Sequence, residues 1–272
     1  MPELRRAGAR VHYEIEGEGP LVVLVHGFTG SAEGFASLSK VLRKRYRVVR
    51  PELLGHGRSD APEDPARYGV WEAARDLLGL LDALSEEHCH LLGYSLGGRV
   101  ALRMALLAPE RLHSLILEST SPGIAGEEAR AARRESDERL SEILERDGIE
   151  AFVRHWEAVP LFATQARCPP ERLLRQRAAR LAQRPHGLAQ SLCGAGAGAT
   201  DDVSPRLREI RVPALLLAGA RDEKYRAALR EAARQMPAAH HQVVQGAGHN
   251  IHFEKPRLFA RLTEEFLART AR

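Results

Sequence analysis

Gly93-Tyr94-Ser95-Leu96-Gly97-Gly98-Arg99 is the stretch whose reading decides the fold of this chain. An apolar run, His90-Leu91-Leu92, leads into it, and Val100-Ala101-Leu102-Arg103-Met104-Ala105-Leu106-Leu107 leads out with helical character. A serine with a glycine two residues away on either side, at a strand-to-helix junction, is the nucleophile-elbow pattern. The turn is so tight that its flanks tolerate little side-chain bulk, which accounts for the glycines. It lifts the hydroxyl clear of the backbone at the start of a helix, where free N–H groups favour negative charge. Glycine-serine turns without chemistry also occur; the strand before and the helix after make this one a candidate nucleophile.

Outward from the elbow, strand and helix alternate. Leu21-Val22-Val23-Leu24-Val25 is a continuous aliphatic run, expected of a strand buried on both faces of a parallel sheet. Residues 10–16 alternate apolar and polar as a half-exposed strand does. Helical patterning is expected over 32–45 and 70–85, and strands over 47–50 and 112–117. After a long interruption the rhythm resumes with a buried strand at 214–219, a helix at 225–236, a strand at 241–244 and a helix at 256–268. The pattern predicts an α/β fold, a mostly parallel central sheet flanked by helices. The interruption, 121–205, is rich in arginine and glutamate, without a β-branched run of strand length. It reads as a helical cap inserted between two parts of one core, 1–120 and 206–272, with Gly194-Ala195-Gly196-Ala197-Gly198-Ala199 as a hinge-like piece near its end.

The totals exclude several classes. At 272 residues the chain is long enough for one large domain with an insertion. A net charge of +4 is mildly basic, and lysine stands only at 40, 44, 224 and 255, so arginine carries nearly all the positive charge. No motif or aromatic-plus-basic strip marks a nucleic-acid binder, and arginine also suits bidentate grip on small carboxylates. Cys89, Cys168 and Cys193 are odd in number and scattered, so no disulfide framework is expected. Neither a signal peptide nor a membrane-length apolar run is present, and the expectation is a cytoplasmic protein, monomeric or a small homo-oligomer.

A serine hydroxyl needs an imidazole held in one tautomer by a carboxylate. Asp222, in the loop after the strand at 214–219, and His249, in Gly246-Ala247-Gly248-His249-Asn250 after the last strand, stand in the required places. The order Ser95, Asp222, His249 is that of the α/β-hydrolases. Taken alone, Asp222 reads equally well as a helix cap and His249 as a turn residue; Asp201, Asp202 and His252 are weaker rivals. For an oxyanion, the backbone N–H groups of Leu96 and of Phe28, in the His26-Gly27-Phe28 loop, are the candidate donors. His88-Cys89-His90 has a metal-like look, but on a strand the histidines face away from the cysteine and no further ligands cluster; no metal and no cofactor are expected. Arg99, one helical turn past Ser95, points to an anionic substrate.

The motifs Val25-His26-Gly27-Phe28-Thr29-Gly30, Gly93 to Arg99, Leu117-Glu118-Ser119-Thr120-Ser121-Pro122-Gly123 and Gly248-His249-Asn250 resemble those of the MenH family, as do the cap segments Phe152-Val153-Arg154-His155-Trp156 and Pro160-Leu161-Phe162-Ala163-Thr164-Gln165. These are the 2-succinyl-6-hydroxy-2,4-cyclohexadiene-1-carboxylate synthases of menaquinone biosynthesis. The resemblance implies an α/β-hydrolase fold with a helical cap, and a lyase that eliminates pyruvate from a tricarboxylate by Ser-His-Asp-assisted proton abstraction. It further implies that Arg99, Arg133 and Arg180 grip carboxylates and that Tyr94 and Trp156 line the site, with Arg130, Arg134 and Arg177 close by in the cap. Arg50-Pro51-Glu52-Leu53-Leu54-Gly55-His56 departs from the family's usual Asp and Pro-Gly-His-Gly turn, a change read as one of loop geometry. The alternative function is a serine hydrolase of esters or C–C bonds; a non-catalytic binder would lack a triad member.

Overall fold

The computed structural model describes residues 2–270. Its centre is an eight-stranded sheet in the order β1-β2-β4-β3-β5-β6-β7-β8. These strands are β1 (Glu3–Arg6), β2 (Ala9–Glu16), β3 (Leu21–Val25), β4 (Arg47–Pro51), β5 (Cys89–Tyr94), β6 (Leu112–Glu118), β7 (Ala214–Gly219) and β8 (Ala239–Val244). From β4 onward every neighbouring pair is parallel; β1 and β2 are joined to the sheet's edge antiparallel. β3 is buried throughout, as its aliphatic run requires of a strand covered on both faces. Each such Val or Leu contributes roughly 1.5–3 kcal/mol when taken from water.

Helices cover both faces. α1 (Ala36–Leu42) and the C-terminal α9 (Pro256–Thr270) pack on one side. On the other lie α2 (Val70–Ala83), α3 (Leu96–Leu107) and α7 (Glu223–Gln235). A short helix, α8 (Ile251–Glu254), precedes α9. The helix expected over 32–45 is shorter: its first turn is 3-10 and only the α1 residues are α-helical, with Gly34 and the buried Phe35 at the junction. β1 was not anticipated. Its four residues carry too few apolar positions to announce a strand, and it is held by register to β2, Leu4 opposite Val11.

Between β6 and β7 the chain forms α4 (Glu127–Glu157), α5 (Pro170–Leu181) and α6 (Pro185–Ala195). α4 is interrupted by Gly148, at φ +79°, so its two arms wrap a small apolar core of Leu144, Phe152, Val153, Leu188 and Leu192. Asp201 already rests on the core, where it accepts from Trp71 Nε1 and Arg103 Nη2, both at 3.1 Å. The run 194–199 is not a hinge. A Cβ on Gly194 would lie 1.9 Å from the Pro65 carbonyl and one on Gly198 2.4 Å from the Arg134 nitrogen, so these glycines permit close packing. No helix among the described residues is long and apolar enough to cross a membrane.

Candidate active site

The elbow is built by close backbone approach. Ser95 sits between β5 and α3 at φ +52°, ψ −108°, a conformation that costs a non-glycine residue about 1–3 kcal/mol. A Cβ on Gly93 would meet the Gly97 carbonyl at 2.3 Å, and one on Gly97 the Val25 carbonyl at 2.2 Å. The turn is pinned from β6 and the loop beyond it: the Ser95 N–H donates to the Glu118 carbonyl at 2.9 Å, and Thr120 Oγ1 donates to the Ser95 carbonyl at 2.7 Å.

Sheet order brings the other two residues in. β7 and β8 are parallel neighbours, so the loops at their C-terminal ends touch; a Cβ on Gly219 would be 2.0 Å from the Gly248 carbonyl. Asp222 Oδ2 accepts from His249 Nδ1 at 2.7 Å, and His249 Nε2 lies 3.1 Å from Ser95 Oγ. Both Asp222 and His249 are buried. Asp222 also caps α7, its Oδ1 accepting from the Tyr225 N–H at 3.4 Å. Glu254 braces the histidine loop by accepting from the Gly248 N–H at 2.9 Å.

Leu96 opens α3, so its N–H has no intrahelical acceptor. The register of Val25 against Gly93 carries the 26–28 loop past the serine, and a Cβ on Gly27 would stand 3.3 Å from Ser95 Cβ. That loop is anchored by His26, whose Nδ1–H donates to the Gly27 carbonyl at 2.8 Å while Nε2 accepts from the Leu53 N–H at 3.0 Å. Burial lowers the His26 pKa, which keeps the ring neutral for this arrangement. The divergent loop after β4 is held by Glu52, which accepts from the Ala32 N–H at 3.2 Å and the Arg58 N–H at 2.6 Å.

The arginines differ in what they already hold. Arg99 is buried and donates to Thr200 Oγ1 at 2.7 Å, but no carboxylate among the described residues pairs with it. Burial pulls its pKa down to about 10, so it stays charged near neutrality. Arg133 pairs with the buried Asp137 at 2.8 Å and is near enough to Arg99 for the two cations to repel. Arg180 is buried on the other flank, 3.2 Å from Glu157 Oε1 and 5.4 Å from the Phe162 ring. Among the neighbours left open by the sequence, Arg130 and Arg134 pair with Glu127, and Arg177 pairs with Glu157.

Aromatic rings surround the histidine. Tyr94 is 5.4 Å from the His249 ring and Phe162, from the segment between α4 and α5, 6.1 Å. Trp156 stacks on Phe152 at 5.7 Å and meets Phe28 and Phe162 edge-on or tilted at 5.4 Å, with its indole N–H buried and unpartnered. Tyr225, which sequence reasoning missed, is 4.6 Å from the His249 ring. Burial raises its pKa, against the opposing pull of Arg99 and Arg133. The available signal was its spacing: three residues after Asp222, on the first turn of α7, it shares the loop's side of the helix. Lys224, also missed, stands 5.6 Å from that ring. Thr164, quoted above but not singled out, is a third; its hydroxyl would touch a Cβ on Gly248 at 2.1 Å, which puts the segment between α4 and α5 against the histidine loop.

The rivals lie elsewhere. His252 Nδ1 donates to Glu118 Oε2 at 2.7 Å, and Asp202 caps the turn at Ser204 through an N–H contact of 3.0 Å. His90 Nδ1 lies 2.8 Å from Ser114 Oγ, and His88 stacks on His113 at 4.9 Å, on the face opposite buried Cys89.

Comparison with known proteins adds independent findings. Residues 20–256 match the family model for the alpha/beta hydrolase fold. The chain is 40% identical to a protein of Bacillus subtilis (strain 168) named as a putative 2-succinyl-6-hydroxy-2,4-cyclohexadiene-1-carboxylate synthase, over 94% of this chain and 95% of that one. The structure superposes on MenH from S. aureus with a TM-score of 0.92 at 34% identity, covering 96% of this chain and 99% of the other. It also superposes on a thermophilic esterase from Thermogutta terrifontis, solved with malate bound, with a TM-score of 0.88 at 26% identity and full coverage of both chains.

Proposed function

The chain belongs to the alpha/beta hydrolase family and, within it, to the 2-succinyl-6-hydroxy-2,4-cyclohexadiene-1-carboxylate synthases, and on that premise we propose that it eliminates pyruvate from 2-succinyl-5-enolpyruvyl-6-hydroxy-3-cyclohexene-1-carboxylate. The observation that carries the reading is Arg99: a buried guanidinium one turn from the serine, held by a threonine hydroxyl and, among the described residues, by no carboxylate. A buried cation without an anion is costly unless one arrives with the ligand. The substrate brings three carboxylates, one each on the ring, the succinyl arm and the enolpyruvyl group. Arg99, Arg133 and Arg180 are their partners, and Tyr94 and Trp156 pack against the ring.

The chemistry follows from the bonds that change. The substrate has its ring double bond at carbon 3 and its leaving group on carbon 5; the product is a 2,4-diene. A proton must therefore leave carbon 2, α to the succinyl ketone, and the electrons move through the ring to expel the oxygen on carbon 5. His249 Nε2 takes the Ser95 proton, Asp222 holds the opposite nitrogen, and the serine oxygen removes the ring proton. The ketone oxygen becomes an enolate, and the N–H groups of Phe28 and Leu96 stabilise it. As the ketone re-forms, the carbon–oxygen bond breaks and enolpyruvate leaves, to be protonated to pyruvate. Water is not consumed and no acyl group is transferred. The enzyme works in the cytoplasm, as a monomer or small homo-oligomer, on a soluble substrate.

A serine hydrolase is the second reading, favoured by the same elbow and by the likeness to the esterase. Purified protein is tested in parallel with the enolpyruvyl substrate, in a pyruvate-coupled assay, and with p-nitrophenyl esters. The synthase releases pyruvate far faster than it cleaves esters. Rapid ester cleavage through a trapped acyl-enzyme, without pyruvate release, would establish the hydrolase instead.

A further inference from the structure

The chain between α6 and β7 meets α3 at two successive turns. Arg99 and Arg103 stand four residues apart on one face of α3 and grip consecutive residues of that chain, Thr200 and Asp201. Arg103 is fully buried, and its Nη2 donates to both the carbonyl and the carboxylate of Asp201. The Trp71 indole N–H donates to the same carboxylate at 3.1 Å. Asp137, also buried, is engaged elsewhere too: it accepts from Arg133 Nε at 2.8 Å and from the Gly198 N–H at 3.3 Å. Asp137 and Asp201 are thus both held by other cations, and Arg99 meets a hydroxyl.

The direction of that hydroxyl is fixed. A guanidinium only donates, so Thr200 Oγ1 accepts from Arg99 Nη1, at 2.7 Å. Its own proton goes to the Gly196 carbonyl at 2.8 Å, which also takes the Thr200 N–H at 3.0 Å. Thr200 is buried, and among the described residues its oxygen is the guanidinium's one hydrogen-bond acceptor. Arg133 and Arg103 both repel Arg99, so the side chain's direction between them depends on this one neutral oxygen. A hydroxyl orients the guanidinium without cancelling its charge; a carboxylate in the same place would do both.

We propose that Thr200 is a positioning residue: by donating to Gly196 and accepting from Nη1, it aims Arg99 at a substrate carboxylate and leaves the charge of Arg99 for that carboxylate to meet. This rests on the synthase reading, in which Arg99 grips one of the three carboxylates. That grip is made in the ground state as well as in the transition state, so its loss falls on KM rather than on kcat.

The test is steady-state pyruvate release from the enolpyruvyl substrate by the full chain. Wild type, Thr200→Val, Thr200→Ser, Arg99→Ala and the double variant of Arg99→Ala with Thr200→Val are compared, with circular dichroism and thermal melts to show that each is folded. Thr200→Val keeps the shape and loses the hydroxyl; it should raise KM about tenfold and change kcat less than about threefold. Thr200→Ser keeps both the oxygen and its proton and should restore KM to within about threefold of wild type. On top of Arg99→Ala, Thr200→Val should change kcat/KM less than about twofold, since no guanidinium is left to aim. If Thr200→Val does not fold, Thr200→Ala takes its place in the same cycle. An unchanged KM, or a loss that is equal with and without Arg99, overturns the assignment and makes Thr200 a purely structural residue. Wild-type protein that releases no pyruvate overturns the synthase reading itself, and the role of Thr200 with it.

Discussion

His249 and His252 lie three residues apart, and each places Nδ1 2.7 Å from the oxygen of a buried carboxylate. Their surroundings separate them. The acid for His249 comes from the loop after β7, and its other nitrogen faces Ser95 Oγ at 3.1 Å. The acid for His252 is Glu118, the last residue of β6, and the ring then lies among Phe35, Tyr94 and Phe259. A His–carboxylate pair is therefore a common element whose role is set by what meets the second nitrogen. In one pair that is a strained serine; in the other the ring is walled by aromatic side chains.

The strongest way to break this contrast is to remove the serine side of it. Ser95→Ala and His249→Gln should each lower the rate of pyruvate release by about 10³-fold or more, the loss typical of a removed nucleophile–base pair. Losses under tenfold would put the base elsewhere. Arg99→Ala should lower kcat/KM by about one to two orders of magnitude, since a hydrogen bond to a charged group contributes roughly 1.5–3 kcal/mol; an unchanged kcat/KM would make Arg99 a structural residue. His252→Gln belongs lower on the scale. Its effect on turnover should stay below about tenfold, far from that of His249→Gln, as expected for a group outside the proton relay. Equal losses from the two substitutions would erase the distinction between the pairs.

The smallest effect concerns two buried histidines with no carboxylate partner among the described residues. Burial pulls the pKa of His56 down to about 3 and that of His90 to about 4, so both stay neutral in the fold. In the unfolded chain each titrates near 6.5, and below that pH the unfolded state takes up protons that the folded state refuses. Stability should then fall as the pH drops from 6.5 toward 4. Thermal melts at successive pH values check this, and His90→Gln should flatten the decline. Melting temperatures that hold steady from pH 6.5 to 4 would contradict it.

Much of this was legible in the amino-acid sequence, for physical reasons. β3, β5 and β7 are buried on both faces, so their aliphatic runs admit few other readings. Gly93 and Gly97 announce the elbow because backbone atoms would occupy any side chain placed there. The pairing of acid with histidine was harder to read, because Asp222 and Glu118 both end up beside a histidine across long gaps in the chain. Only the strand order decides which carboxylate meets which ring. The glycines at 194–199 misled for a related reason: glycine signals flexibility and close contact with the same letter, and Pro65 and Arg134 make it close contact here. Tyr225 gave no motif, and Thr164 lay in a quoted segment without being singled out, since the proximity of both to the His249 loop depends on α7 and on the chain between β6 and β7.

On the proposed mechanism Ser95 removes a ring proton, and this expels pyruvate. It is tested most directly by single-turnover pyruvate release from substrate deuterated at ring carbon 2, with wild-type enzyme and Ser95→Ala side by side. Wild-type enzyme should release pyruvate more slowly from the deuterated substrate than from the ordinary one, and Ser95→Ala should release almost none. Equal rates for the two substrates with a covalent adduct on Ser95, or undiminished release by Ser95→Ala, would contradict it.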